Sequence, residues 1–327
     1  MPITLESAIV HILNSTEEYP ILSNLPFYFE MEVEDYISKT IEKTFLSDDA
    51  KNCCFRSETN IWQQCKAASW DIVSISQSIA KEIFVIMHRN KEIPVADLLF
   101  GIANVNSRRC FFMLKFDYRS AFTHYVKTIG GQISVNIIQH NALLPAQAPK
   151  ITDGFLTYMD EPSVKVIERK YTVDGIRDFY LSTQILGCTE SKSPRQKTTK
   201  LLQVAERVAN LYYSDEDEMD IHISTTMHEE LQKGQILSVG NLGQKFFLNN
   251  PAAQEEFFER LSAADIYRDE ELSLSERFQR KFQKQAIKTS SGVEIKIPTQ
   301  VYSNSDEIEF INNPDGTISL LIKNIKL

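Results

Sequence analysis

The chain lacks most of the features by which enzymes and membrane proteins are recognised. Its 327 residues contain no apolar run near the roughly 18–20 residues of a membrane span. The first residues have no cationic region ahead of an apolar segment, so we expect neither a membrane anchor nor a signal peptide. No Walker loop, G-x-G-x-x-G turn or G-x-S-x-G elbow occurs, which argues against the common nucleotide-binding and hydrolase classes.

Patterns for metal or cofactor binding are also missing. The five cysteines form no C-x-x-C pair, and an odd number without a framework spacing predicts reduced thiols in a cytoplasm. Of the six histidines, His222 and His228 lie six residues apart, whereas ligand pairs on a helix lie three or four apart. We therefore expect no metal, no cofactor and no catalytic residue.

Charge is acidic overall but uneven along the chain. The formal net charge is −9, which argues against a whole surface that attracts nucleic acid, because non-specific affinity comes mainly from neutralising phosphates. Cations are nevertheless concentrated in two basic segments, residues 192–200 and 277–288. We expect these side chains to bind phosphate: Lys192, Arg195, Lys197, Lys200, Arg277, Arg280, Lys281, Lys284 and Lys288.

Each basic segment has its own reason to bind an anion. In the first, the cations sit in a loop and at the start of a helix, where amides, hydroxyls and ammonium groups can converge on a phosphate. In the second, the cations recur every three or four residues, which on a helix forms one cationic stripe with Phe278 and Phe282 on another face. The alternative for both segments is a solvated charged face whose lysine stems cover the core.

Periodicity predicts an α+β fold, with an antiparallel sheet flanked by helices in the N-terminal half. Residues 5–13, 31–46 and 67–84 have helical spacing, although Val10 and Ile12 would also suit a strand. Hairpins are indicated for residues 98–118 and 154–170, and a strand for residues 133–138.

The second half is predicted to be a helical region followed by a small C-terminal β segment. Helices are expected at residues 176–186, 198–213, 214–234, 238–248 and 251–261, and strands at 293–297, 307–311 and 317–325. We place a soft domain boundary near residue 175, which gives an N-terminal α+β domain of residues 1–175 and a second domain of residues 176–327.

Two other functional patterns are weaker. Metal-dependent nucleases often place an acid and a Glu-x-Lys at a strand end, and Asp160 with Glu168 and Lys170 fits that spacing, as does Glu294-Ile295-Lys296. Alternating charges on a solvated edge strand are the commoner reason for such a spacing. Residues 219–248 read as helix, link, helix, but the second helix is glycine-rich with one cation, which favours packing over reading DNA.

Several diffuse motifs resemble the bacterial nucleoid-associated protein family called NdpA or YejK. They are residues 84–99 with the hairpin that follows, residues 179–190 leading into Lys200-Leu201-Leu202, and the ending of residues 292–297, 307–310 and 315–323. The resemblance implies a cytoplasmic protein that is associated with the nucleoid and bound directly or indirectly to DNA. It brings no catalytic residues to carry over.

Together these observations predict a non-enzymatic protein that binds the DNA backbone, with double-stranded DNA and low sequence specificity. A homodimer is expected because two copies would double the phosphate contacts. The alternatives are the nuclease of Asp160, Glu168 and Lys170, and an adaptor that reaches the nucleoid through a protein partner.

Overall fold

The structure is a computed structural model that describes residues 2–56, 59–66, 70–189, 191–213, 216–234, 236–288, 292–302, 306–314 and 317–324. Two compact units divide the chain, residues 1–191 and residues 192–327. The domain boundary near residue 175 stays a prediction. Within the described residues, every helix is too short or too polar to cross a membrane.

The first unit is built on a seven-stranded antiparallel sheet. The strands of this unit are β1 (Ile3–Leu13), β2 (Ile21–Leu22), β3 (Lys51–Cys54), β4 (Ala96–Val105), β5 (Arg108–Asp117), β6 (Arg119–Ile129), β7 (Gln132–Leu143), β8 (Gly154–Tyr158), β9 (Ser163–Ile167), β10 (Tyr171–Val173) and β11 (Ile176–Asp178). The sheet has the order β2-β1-β4-β5-β8-β9-β3. Its helices are α1 (Met31–Phe45), α2 (Asn60–Lys66) and α3 (Ile72–Arg89), and a π-helix follows at Leu181–Ile185.

Helices cover both faces of this sheet. Asp71 caps α3 by accepting the amides of Val73 and Ser74, and α3 packs with Phe100 and Phe111 in one apolar cluster. The neighbouring residues of β4 and β5 point to the other face of the sheet. Leu99 and Phe112 are among them, and they form a second apolar cluster with α1. Because β4 and β5 are buried on both faces, they read in the sequence as continuous apolar runs.

A long hairpin leaves the sheet between two of its neighbouring strands. β5 and β8 pair directly, yet the chain between them forms β6 and β7, which pair only with each other in a separate two-stranded sheet. We call residues 119–143 the arm. Every residue of β6 is exposed, so the arm contributes nothing to the core of its own unit among the described residues.

The second unit is a helical cluster with small hairpins. Its elements are α4 (Pro194–Tyr212), α5 (Glu216–Lys233), β12 (Ile236–Ser238), α6 (Val239–Phe246), α7 (Pro251–Ser262), β13 (Glu271–Ser273), α8 (Glu276–Gln279), a 3-10 turn at Arg280–Phe282, β14 (Lys284–Lys288), β15 (Glu294–Pro298), α9 (Thr299–Tyr302), β16 (Ile308–Asn312) and β17 (Ile318–Ile322). Leu201 and Val208 of α4 pack with Met227 of α5 and Phe257 of α7 in one core.

The α+β fold class expected from the sequence is confirmed, with differences in detail. The helices expected near residues 31–46, 198–213, 238–248 and 251–261 are present, and α5 buries the four predicted residues Met219, Ile223, Met227 and Leu231. The helix expected from residue 67 begins at Ile72 and runs to Arg89. Ser214, its predicted capping role and residues 67–69 lie outside the described residues.

The helices expected at residues 5–13 and 176–186 are wrong. Residues 5–13 belong to β1, which is held between β2 and β4, so tertiary pairing overrides a helical spacing. Residues 176–186 divide into β11 and the π-helix, because Asp174 and Gly175 turn the chain at φ values of 50° and 85°. An Asp-Gly pair with both φ values positive is the sequence signal of a two-residue hairpin turn.

Candidate nucleic-acid interface

Both basic segments predicted from the sequence lie in the second unit. The first begins α4, whose N-terminus is closed by Ser193: its hydroxyl accepts the Gln196 amide, and the Gln196 side chain accepts the Ser193 amide. Pro194 occupies the first helical position, where a missing N–H costs nothing. This cap places Arg195 in the first turn of α4, exposed to solvent, at the end where the helix dipole is positive.

The single cationic helix expected over residues 277–288 is wrong. The chain forms α8, one 3-10 turn and then β14. Ser275 caps α8 with its hydroxyl on the Phe278 amide, and Thr299 bonds the Phe282 carbonyl through its hydroxyl and the Gln283 carbonyl through its amide. With these bonds in place, residues 284–288 pair with β15 as strand β14, so the helix ends at residue 282.

Phe278 joins the two basic segments. The guanidinium carbon of Arg195 lies 5.9 Å from the centre of the Phe278 ring, and the ammonium of Lys281 lies 5.1 Å from the same centre. Both distances are within the roughly 6 Å over which a cation is attracted to an aromatic face. The ring is buried, and its centre lies 5.8 Å from the centre of the Phe282 ring in a T-shaped arrangement. Cations more than 80 positions apart in sequence therefore share one anchor.

The predicted cations differ in their exposure. Exposed residues are Arg195, Arg277, Arg280, Lys281 and Lys284, which we call the basic face. Lys200 is half-buried. Lys288 lies opposite Glu294 in the β14–β15 pairing, and its side chain is outside the described part of the structure.

Two predicted phosphate-binding lysines are already paired with carboxylates. The ammonium of Lys192 lies 3.0 Å from Asp265 in an exposed ion pair, of a kind worth little in water. Lys197 forms a less exposed pair with Glu270, which also accepts the Tyr267 amide. A phosphate would have to displace these carboxylates, which is easier at Lys192 than at Lys197.

The two carboxylates of the nuclease hypothesis, Asp160 and Glu168, are held by other contacts, whereas Lys170 is exposed. Arg108 binds Asp160 at 2.7 Å, and this hydrogen bond lowers the pKa of the Asp160 carboxyl. Glu168 is buried, with one oxygen 3.0 Å from the Lys51 ammonium and the other accepting the Ser182 amide. Across the described ranges, no three His, Cys, Asp or Glu side chains are grouped so that they could hold a metal ion.

The Glu294-Ile295-Lys296 alternative has a similar outcome. Lys296 lies 3.7 Å from Glu294 on the exposed side of β15. Neighbouring charges of opposite sign on one solvated strand face need no catalytic explanation. Neither Glu-x-Lys motif therefore has a free carboxylate and a free lysine facing the same point.

The predicted helix-link-helix of residues 219–248 contains a strand. β12 follows α5 and pairs with β13, and α6 begins directly after it. In α6, Gly243 packs so closely on Phe257 and Phe258 that an added Cβ would lie 2.6–2.9 Å from their rings. Gly243 therefore allows α6 to pack closely on α7, in agreement with the packing role predicted for this segment.

Sequence reasoning missed two features of functional interest. Phe278 was assigned only to a face away from the cations, because its helix was expected to continue. In the arm, only residues 133–138 were expected as a strand, although the alternation of apolar and polar residues begins at Phe122. Alternation in both strands around Gly130-Gly131 was the available signal for a hairpin.

The resemblance noted from the sequence can be tested by comparison with known proteins. None of the curated proteins compared with the chain matches it. The family model described as nucleoid-associated protein YejK matches residues 9–327. Because this match covers nearly the whole chain, the protein belongs to the family of the nucleoid-associated protein YejK.

Proposed function

We propose that the protein binds the phosphate backbone of DNA through the basic face, without catalysing a reaction. The convergence of Arg195 and Lys281 on the Phe278 ring is the observation that carries this proposal. It brings exposed cations from two segments to one buried ring, within a chain whose net charge is −9. Membership of a nucleoid-associated family supports DNA as the source of the phosphates.

Backbone binding predicts the kind of DNA that is bound. Contacts to phosphate fix the position of a protein on a duplex but read no base, so we propose double-stranded DNA with low sequence preference. Lys192 adds a phosphate contact when it exchanges Asp265 for DNA, whereas Lys197, Lys200 and Lys288 act as secondary contacts.

The cellular setting follows from the same proposal. We infer a cytoplasmic location at the nucleoid, where the five cysteines would stay reduced, as all five are free in the structure. A homodimer would present two basic faces to one duplex and raise the affinity through effective concentration.

The test is DNA binding measured as a function of salt. Each phosphate contact contributes a slope of about −0.9 to log K against log salt, so Arg195→Gln and Lys281→Gln are each expected to reduce the slope by about 0.9. Lys39→Gln is the matched control: Lys39 is an exposed lysine of the first unit, paired with Asp35, and its loss should leave the slope unchanged.

The outcomes separate the competing functions. A wild-type slope that none of these variants changes would move the DNA contact away from the basic face. Absence of DNA binding at low salt would overturn direct binding and favour an adaptor held at the nucleoid by a protein partner. Magnesium-dependent cleavage that Lys170→Gln abolishes would establish the nuclease instead, since Lys170 is exposed and its loss leaves no buried charge unpaired.

A further inference from the structure

The arm exposes more apolar surface than a free hairpin needs. Phe122, Val126, Ile133, Val135 and Ile137 are between 52% and 79% exposed. In the β6–β7 register, Phe122 lies opposite Gln139, Val126 opposite Val135, and His124 opposite Ile137. Since paired residues of an antiparallel hairpin share a face and alternate along the strand, these five side chains all lie on one face.

The second face of the arm is mixed. Tyr125, Ile129 and Ile138 are 46%, 65% and 40% exposed and share it with Lys127. The more apolar face carries neither a carboxylate nor an ammonium group, because the whole arm contains no Asp or Glu and its only Lys and Arg are Lys127 and Arg119. Such a composition stands out in a chain with 44 acidic residues.

An exposed two-stranded hairpin of this length would be stabilised by a partner that covers it. An isolated two-stranded hairpin is marginally stable in water, and its two outer edges offer unpaired backbone groups to other strands. A contiguous apolar surface of this kind marks an interaction site. The arm spans 25 residues (119–143), and because successive residues of a strand point to opposite faces, one face supplies about half of the roughly 20–30 residues a side of a standard interface.

We propose that the arm is a dimerisation element and that its occupant is a second copy of this chain. In an isologous interface the same surface of each copy faces itself, so like charges on it would repel. The more apolar face has no carboxylate or ammonium group, so two copies of it can meet without this repulsion. The same arm is present in each copy, so two copies can offer each other identical faces, as a two-fold interface requires.

DNA fits the arm less well than a second copy does. Affinity for DNA comes mainly from cations placed on phosphates, and the arm offers two permanently charged side chains along its whole length. Its most apolar face, centred on the Val126–Val135 pair, would instead remain in water beside the charged backbone.

This inference names the surface of the homodimer that the proposed function includes, but it does not need DNA binding to be correct. Two symmetric arms would hold two second units in one assembly, and two basic faces could then act on one duplex. The oligomeric state and the DNA affinity are measured separately, so failure of either proposal can be recognised by itself.

The test is the mass of the full chain in solution by light scattering. At about 10 µM, the wild-type protein is expected at twice the chain mass, which requires a dimer dissociation constant below that concentration. Ile137→Asp buries a carboxylate on the apolar face and should raise the dimer dissociation constant at least about tenfold. Ile176→Asp is the control, because Ile176 is a 70% exposed isoleucine in a hairpin of the same unit, outside the arm. The Ile176→Asp variant should remain dimeric.

A second variant guards against a local effect of one carboxylate. Residues 122–139 can be replaced by Asn-Gly, a two-residue turn that closes hairpins, because Ala121 and His140 face each other in the register. This shortened chain should be monomeric and should still unfold cooperatively, which shows that the rest of the chain is folded. A monomeric wild type, or a shortened chain that stays dimeric, would overturn the proposal; loss of DNA binding without a change in mass would make the arm a DNA contact instead.

Discussion

Lys51 and Glu168 form an ion pair whose ammonium and carboxylate are 3.0 Å apart, with both side chains buried in the first unit. The Lys51 ammonium also lies 3.1 Å from the centre of the Phe179 ring. Glu168 is the residue that a Glu-x-Lys nuclease would need free for a metal. Its two oxygens are bound by Lys51 and the Ser182 amide, so the pair has a structural role in this fold.

Removing one member of this pair should destabilise the protein strongly. Glu168→Leu leaves the Lys51 ammonium buried without a counter-charge, and we expect a loss of about 3–5 kcal/mol in the free energy of unfolding. Chemical denaturation followed by fluorescence would measure it. The double variant Lys51→Met/Glu168→Leu should be more stable than the single variant, because no buried charge remains. Equal losses in single and double variants would contradict a coupled pair.

A second prediction concerns pH and the buried His11. Its Nδ1 accepts the Ser23 amide at 3.1 Å, and its Nε2 lies 2.9 Å from the Ser76 hydroxyl, which donates to the Val73 carbonyl. These partners suit a neutral ring that carries its proton on Nε2. Burial lowers the pKa of His11 to about 4, so the folded protein resists protonation that the unfolded chain accepts.

The sign of the effect follows from this difference. Between the ordinary pKa of 6.5 and about 4, the unfolded state binds one more proton than the folded state, so stability falls as pH drops through this window. The loss at the low end is up to about 3 kcal/mol. Nitrogen-15 NMR should show a neutral Nε2–H ring at pH 5, and His11→Asn should remove one proton from the pH dependence of unfolding. A charged ring at pH 5 would refute this assignment.

A third prediction separates the ring of Phe278 from the charges around it. Phe278→Leu keeps an apolar side chain but removes the aromatic face beside Arg195 and Lys281. We expect about 1–2 kcal/mol lower stability and weaker DNA binding, because the two cations lose their shared anchor. The salt slope should stay close to that of the wild type, since no charge is removed.

Phe258→Leu is the matched control for that variant. Phe258 is a partly buried ring of the same core and lies 4.7 Å from the Arg268 guanidinium, outside both basic segments. It should lower stability to a similar degree and leave DNA affinity unchanged. Equal losses of DNA affinity in the two variants would show that Phe278 acts only through the stability of the second unit.

Local pattern was sufficient for elements whose partners are near in sequence. The hairpin of β4 and β5 and the apolar stripe of α5 could be predicted because both depend on spacing that the chain displays directly. Residues 5–13 misled because their apolar side chains follow a helical spacing, which pairing of β1 with β2 and β4 overrides. Residues 277–288 misled because the helical repeat of cations continues past Phe282, where bonds from Thr299 and pairing with β15 place the chain in a strand.

The sequence by itself determined the α+β class, the acidic balance with its two basic segments, and the family, since each depends on residue order alone. The tertiary structure alone decided that Arg195 and Lys281 share Phe278, that Lys192 and Lys197 face carboxylates, and that Glu168 is buried against Lys51. It also left both faces of the arm uncovered. These outcomes depend on contacts between residues distant in sequence, which packing creates and no local period encodes.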